Sequence, residues 1–212
     1  AYLEAQFGAF KARLCPVNVN YRYLEAELKH VINNSDSEAL VFQAQFAPRI
    51  AAIRDQLEQV KLFLEIDDDS GEHLEGAVSY EEALQATEPM PRIERSNDDL
   101  YMLYTGGTTG MPKGVMWHHD QMRKAQLEAQ KLLAPVPKTL EEHVALITSQ
   151  GPGNRTVPSC PMMHGTGFIT AIGTLMSGGA IVTLADPSFD ATELWETVDK
   201  HKVQSIAIVG DA

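Results

Sequence analysis

Apolar residues recur along the chain with two periods, one helical and one extended. Leu3, Phe7, Phe10 and Leu14 share one face at helical spacing, which predicts a helix over residues 2–14. Residues 15–20 alternate as a short strand. Residues 24–32 return to helical spacing, and Asn33, Asn34 and Ser35 stop the helix. A run of buried-strand length covers 39–42, a helical pattern covers 46–60, and a strand covers 61–66. The acidic turn Asp67, Asp68, Asp69, Ser70 and Gly71 breaks that strand. The pattern resumes with a strand at 100–104, helices around 122–133 and 169–176, a strand at 180–184, a helix at 191–200 and a strand at 205–209.

Strands alternating with helices predict an α/β fold in which helices layer on parallel-type sheets. Residues 134–157 contain Pro and Gly, fit neither period, and read as a long irregular connection. The expected division is a first α/β subdomain over 1–156 and the beginning of a second over 157–212. No internal repeat or low-complexity tract interrupts this reading.

Composition narrows the function classes. The chain has 212 residues, enough for a sizeable core. A formal charge of −12 argues against nucleic acid as a partner, because a nucleic-acid binder needs a basic face. No stretch approaches the roughly 18 apolar residues of a membrane span. Cys15 and Cys160 share no short motif and read as buried or half-buried free thiols in a reducing, cytoplasmic setting. The triple Asp of 67–69 invites a calcium reading, but the Gly and Glu that an EF-hand loop needs are out of register, so a solvated turn is expected. His118, His119 and Asp120 look like a metal cluster, yet adjacent His residues cannot easily face one ion and no third ligand is suitably spaced. Asp120 is expected to cap the helix that follows. Trp117 and Trp195 are expected to pack in the core, as are Met162, Met163 and Met176.

Candidate chemistry concentrates in Tyr104, Thr105, Gly106, Gly107, Thr108, Thr109, Gly110, Met111, Pro112, Lys113 and Gly114. Glycines let backbone N–H groups converge on a phosphate, threonine hydroxyls add donors, and Lys113 supplies the run's positive charge. The run is not the P-loop of nucleoside triphosphatases, because Pro112 precedes the lysine and Gly114 follows it. The residues after Gly114 are again extended, so strand–loop–strand is expected. A plain hairpin loop with an incidental lysine is the bland alternative.

This run resembles the phosphate-loop signature of the adenylate-forming superfamily, which contains acyl-CoA synthetases, firefly luciferase and peptide-synthetase adenylation domains. The usual form is Tyr-Thr-Ser-Gly-Thr-Thr-Gly-x-Pro-Lys-Gly-Val. Gly106 departs from it, standing where Ser is usual and removing one hydroxyl. The variant resembles a subgroup that includes ligases for steroid side-chain carboxylates. Pro161, Met162, Met163, His164, Gly165, Thr166, Gly167 and Phe168 resemble the superfamily's next signature. Residues 10–24 and 205–212 add weaker likeness.

The resemblance implies an internal part of the large N-terminal domain of an AMP-forming acyl-CoA synthetase, incomplete at both ends. The adenine, ribose and CoA contacts and the small C-terminal domain are expected beyond residue 212. It implies ATP, Mg²⁺ and coenzyme A as cofactor and co-substrates, and a fatty or steroid-type carboxylic acid as substrate. Thr105, Gly106, Gly107, Thr108, Thr109, Gly110 and Lys113 would bind the phosphates, with Thr105 also touching the metal. His164, Gly165, Thr166 and Gly167 would border the acyl site, with His164 and Lys113 as the catalytic candidates. A homodimer is compatible with it. Two other readings stay open: another adenylate-forming branch, such as a peptide-synthetase adenylation domain, and a non-catalytic phosphate-binding module.

Overall fold

The computed structural model describes residues 1–106, 110–130, 136–186 and 188–209. The chain divides into two compact units, Ala1–Asp120 and Gln121–Ala212. The division falls ahead of the 156/157 boundary expected from the sequence, and a strand runs across that position.

The first unit opens with helix α1 (Tyr2–Lys11) and helix α2 (Glu25–Asn34). Strands β1 (Ala39–Gln43), β2 (Leu62–Ile66) and β3 (Val78–Ser79) form a parallel sheet in that order. Period-two alternation along β1 turns Leu40 and Phe42 inward. They join Leu28 and Ile32 of α2, Ile50, Ile53 and Phe63 in one core. Between β1 and β2 lies the short helix α3 (Ala47–Ala51). Helix α4 (Tyr80–Gln85) follows β3, its first turn capped by the Ser79 hydroxyl. An antiparallel hairpin of β4 (Leu100–Thr105) and β5 (Lys113–His118) completes the unit.

Several local expectations change. The helical pattern over 46–60 yields only α3, set between two short 3-10 turns. Pro48 lies in its first turn, and the Asn33 side chain bonds both the Gln56 carbonyl and the Glu58 N–H. Those side-chain bonds draw the backbone of 56–58 out of the helix. Residues 15–20 make a single bridge, Val17 with Met102, in place of a strand. Cys15 is exposed, whereas Cys160 is buried. The acidic turn is held by local bonds, Asp69 N–H to Asp67 and Ser70 N–H to Asp68.

The second unit contains a parallel sheet ordered β7 (Ala180–Ile181), β6 (Arg155–Pro158), β8 (Ser205–Ala207). Helix α5 (His119–Gln130) begins at the division, so Asp120 sits in its first turn and not at the cap. The stretch expected to be irregular carries helix α6 (Leu140–Gln150). Its start is set by Thr139, whose hydroxyl accepts from Glu142 N–H, while the Glu142 carboxylate accepts from Lys138 N–H. Helix α7 (Gly165–Met176) packs on β6, with Val157, Phe168 and Ala171 fully buried. Helix α8 (Ala191–His201) buries Leu194 and leaves Trp195 62% exposed. One residue further along a helix turns a side chain about 100° away. Trp195 therefore leaves the core that Leu194 enters.

Candidate functional site

In the first unit the glycine- and threonine-rich run is the connection between β4 and β5. The hairpin pairs Thr105 with Lys113 and Tyr104 with Gly114, so strand–loop–strand holds. Thr105, Gly106, Gly110 and Lys113 are all exposed around the loop mouth. Gly107, Thr108 and Thr109 lie outside the described residues. Lys113 makes no ion pair among the described residues.

Gly106 and Gly110 are exposed, but the two ends of the connection are anchored. Tyr104 is 3% exposed. Its N–H donates to Asn18 Oδ1 at 2.7 Å, and Asn18 Nδ2 donates to its carbonyl at 3.5 Å. The preceding backbone, Pro16 to Asn18, already pairs with Met102, so the Asn18 amide continues that ladder by one step. The Tyr104 hydroxyl donates to Asn34 Oδ1 at 2.7 Å. Its ring lies over Gly114, where a Cβ would meet ring atoms and the Met102 sulfur at 3.0 Å. On the other strand, His30 Nε2 lies 3.0 Å from the Pro112 carbonyl, and Pro112 is buried. An open cleft of about 620 Å³ borders this face of α2, with Lys29, His30, Asn34 and Met111 among its lining.

At the foot of the hairpin, Arg13 makes a forked contact to Asp99, with nitrogen–oxygen distances of 2.9 to 3.2 Å. That guanidinium holds the Asp99 carboxyl below the usual carboxylate range. His119 stacks edge-on against Phe10 with ring centroids 4.8 Å apart, and burial pushes its pKa down. Its role here is packing. Among the described residues no group of three or more His, Cys, Asp or Glu side chains could hold a metal ion.

In the second unit, the C-terminal ends of β6 and β8 and the start of α7 enclose a cleft of about 310 Å³. His164 and Thr166 line it, both exposed. His164 is the N-cap of α7, and no side chain caps that helix end. Gly165 is half-buried and not part of the lining. Gly167 is buried and serves close packing, since a Cβ there would stand 2.7 Å from the Pro161 carbonyl oxygen and 2.8 Å from that of Cys160. Sequence reasoning missed Ser159, Cys160, Phe189, Ile208 and Val209, which also line the cleft. Their signal was positional, because Ser159 and Ile208 are the first residues past parallel strands, where ligand crevices in such sheets open. Ser159 Oγ is buried without a hydrogen-bond partner among the described residues.

The family model for AMP-binding enzymes matches residues 1–212. The chain belongs to the AMP-binding enzyme family. It is 37% identical to the medium-chain acyl-CoA ligase Mig of Mycobacterium avium, over 100% of this chain and 39% of that protein. It is 36% identical to a 3-oxocholest-4-en-26-oate–CoA ligase of Rhodococcus rhodochrous, over 99% of this chain and 38% of the relative. The chain thus spans about two-fifths of the length of these curated relatives. Among solved structures, the inhibitor-bound N-terminal domain of FACL13 from Mycobacterium tuberculosis superposes with a TM-score of 0.69 at 27% identity, covering 93% of this chain and 44% of that one. The anthranilate CoA ligase AuaEII bound to anthranoyl-AMP gives a TM-score of 0.74 at 21% identity, over 97% and 37% of the two chains, and shares the fold. Among the described residues of this family member, no helix is long and apolar enough to cross a membrane.

Proposed function

We propose that the protein carrying this chain is a carboxylate–CoA ligase acting on a fatty or steroid-type acid. The carboxylate attacks the α-phosphorus of ATP, giving an acyl-adenylate and releasing pyrophosphate. The thiol of coenzyme A then displaces AMP and forms the thioester. The observation that carries this reading is the family match over the whole chain, with relatives named as medium-chain and 3-oxocholest-4-en-26-oate CoA ligases.

Little covalent chemistry falls to the protein in such a reaction, so its residues act by positioning and by charge. The β4–β5 loop holds the β- and γ-phosphates, with Lys113 over the charge that leaves as pyrophosphate. Thr105, Gly106 and Gly110 are exposed at the loop mouth, where backbone N–H groups and one hydroxyl can meet phosphate oxygens. We extend the phosphate contacts to Gly107, Thr108 and Thr109. Thr105 would offer Mg²⁺ a neutral hydroxyl, an oxygen donor of the kind that ion takes. When bound, that ion would neutralise phosphate charge. His164 and Thr166 border the acyl site at the uncapped start of α7, and Gly165 and Gly167 shape the turn behind them. Two free thiols and the ATP-dependent chemistry favour the cytoplasm.

The test is carboxylate-dependent ATP–pyrophosphate exchange by the full-length protein, offered medium-chain, long-chain, steroid side-chain, aromatic and amino acids. Exchange with fatty or steroid carboxylates is expected. Exchange with amino acids alone would move the protein to the adenylation-domain branch, and none with any acid would leave a binding module.

A further inference from the structure

Helix α2 touches both ends of the phosphate loop through side chains one turn apart. His30 and Asn34 stand at i and i+4 and so share a face. Asn34 takes the Tyr104 hydroxyl, on the strand that enters the loop. His30 meets the Pro112 carbonyl, on the segment that leaves it. A carbonyl only accepts, so His30 Nε2 carries the hydrogen in this bond. Pro112 lies one residue beyond the last ladder pair, Thr105 with Lys113, where β5 has yet to begin. Its carbonyl belongs to the same planar peptide unit as the Lys113 N–H. Holding that plane sets the direction in which β5 starts and the point from which the Lys113 side chain departs.

We propose that His30 is a positioning residue for the phosphate loop. Through the Pro112 carbonyl it fixes Lys113 for a polyphosphate, while Asn34 fixes the opposite strand through Tyr104. The proposal rests on the reading of this loop as the ATP-phosphate site.

The experiment uses the full-length protein and measures ATP binding by calorimetry, alongside exchange kinetics and a melting curve. His30→Ala removes the donor, His30→Phe keeps a ring without it, and His30→Gln offers an amide N–H at similar reach. Ala and Phe should weaken ATP binding by roughly 10- to 100-fold, the scale of a small misplacement of a binding group. The KM for the carboxylate should stay unchanged, and Gln should recover most of the loss. Combined with Lys113→Ala, the His30 change should add nothing, because the brace acts through that lysine. Wild-type ATP affinity in both His30→Ala and His30→Phe overturns the brace. So does a Gln variant no better than Phe at equal melting temperature, or full additivity with Lys113→Ala. A wild-type protein that binds no ATP overturns the phosphate-site reading itself, and the brace with it.

Discussion

In the hairpin of the first unit, the residues flanking the loop are held by side chains from elsewhere in the chain: Asn18 on the Tyr104 peptide, Asn34 on its hydroxyl, His30 on Pro112. In the second unit, the turn before α7 has no side-chain cap hydrogen bond at His164; it is closed by backbone, with His164 N–H donating to the Pro161 carbonyl and Gly167 pressed on the carbonyls of Cys160 and Pro161. Hydrogen bonds between distant residues can be removed one at a time. A backbone-to-backbone approach admits no partial loss, because any Cβ at Gly167 meets atoms that cannot rotate away. The hairpin is therefore a tunable device, while the α7 turn is an all-or-none one. Each carries a different exposed candidate, Lys113 in one and His164 in the other.

The largest effect expected is on chemistry. Lys113→Ala in the full-length protein should lower turnover by about 100- to 1000-fold, the scale of losing one preorganised charge-stabilising group. Lys113 is exposed, so the melting temperature should hold. Unaltered kinetics with a normal melting curve would remove the role assigned to it. Gly167→Ala should do the reverse and strike stability first. With carbonyl oxygens at 2.7 and 2.8 Å from the added carbon, overpacking should cost about 3 kcal/mol. Denaturant unfolding reads this directly, and a loss near zero would mean that the turn yields and the contrast with the hairpin fails.

Asn18→Ala comes next. Asn18 is 2% exposed and satisfies the buried Tyr104 peptide, so its removal should cost about 2 kcal/mol by leaving a buried N–H without its acceptor. Pyrophosphate exchange should fall by less than in Lys113→Ala, since the brace from α2 remains. A variant as inactive as Lys113→Ala, yet fully stable, would show that Asn18 reaches the chemistry by another route.

How much of this was legible in the sequence follows from how local each signal is. The β4–β5 hairpin was readable because its residue types are consecutive and strand pairing across a short connection needs no distant partner. Helix α6 was also written locally, in Thr139 and Glu142 at capping-box spacing, but the prolines and glycines on either side outweighed it. The bracing residues were not legible. Asn18 and Tyr104 are 86 positions apart, His30 and Pro112 are 82 apart, and nothing in the spacing of Asn or His names a carbonyl that far away. Trp195 was misplaced for a related reason: its size argues for burial, whereas the face of α8 that turns inward is chosen by Leu194.

The smallest effect expected separates two titrations at the foot of the hairpin. Burial lowers the pKa of His119 from its ordinary 6.5 more than the nearby Asp99 charge raises it. A charged His119 would also bury a second N–H, and Nε2 has no partner among the described residues. The unfolded chain therefore binds this proton before the folded one does, and stability falls as pH drops through 6.5. Asp99 acts lower on the scale. Arg13 depresses its pKa from an ordinary 3.8, so its contribution is complete above that value and is lost as pH falls through the folded value beneath it. His119→Phe keeps the edge-on contact with Phe10 and should flatten the stability profile between about pH 7 and pH 5. Asp99→Asn should remove the acid slope and deepen the upper one, because it takes away the charge that raises the His119 pKa. Urea midpoints measured across the range distinguish the two, and a profile that neither variant changes would place the acid sensitivity of the chain outside the hairpin's foot.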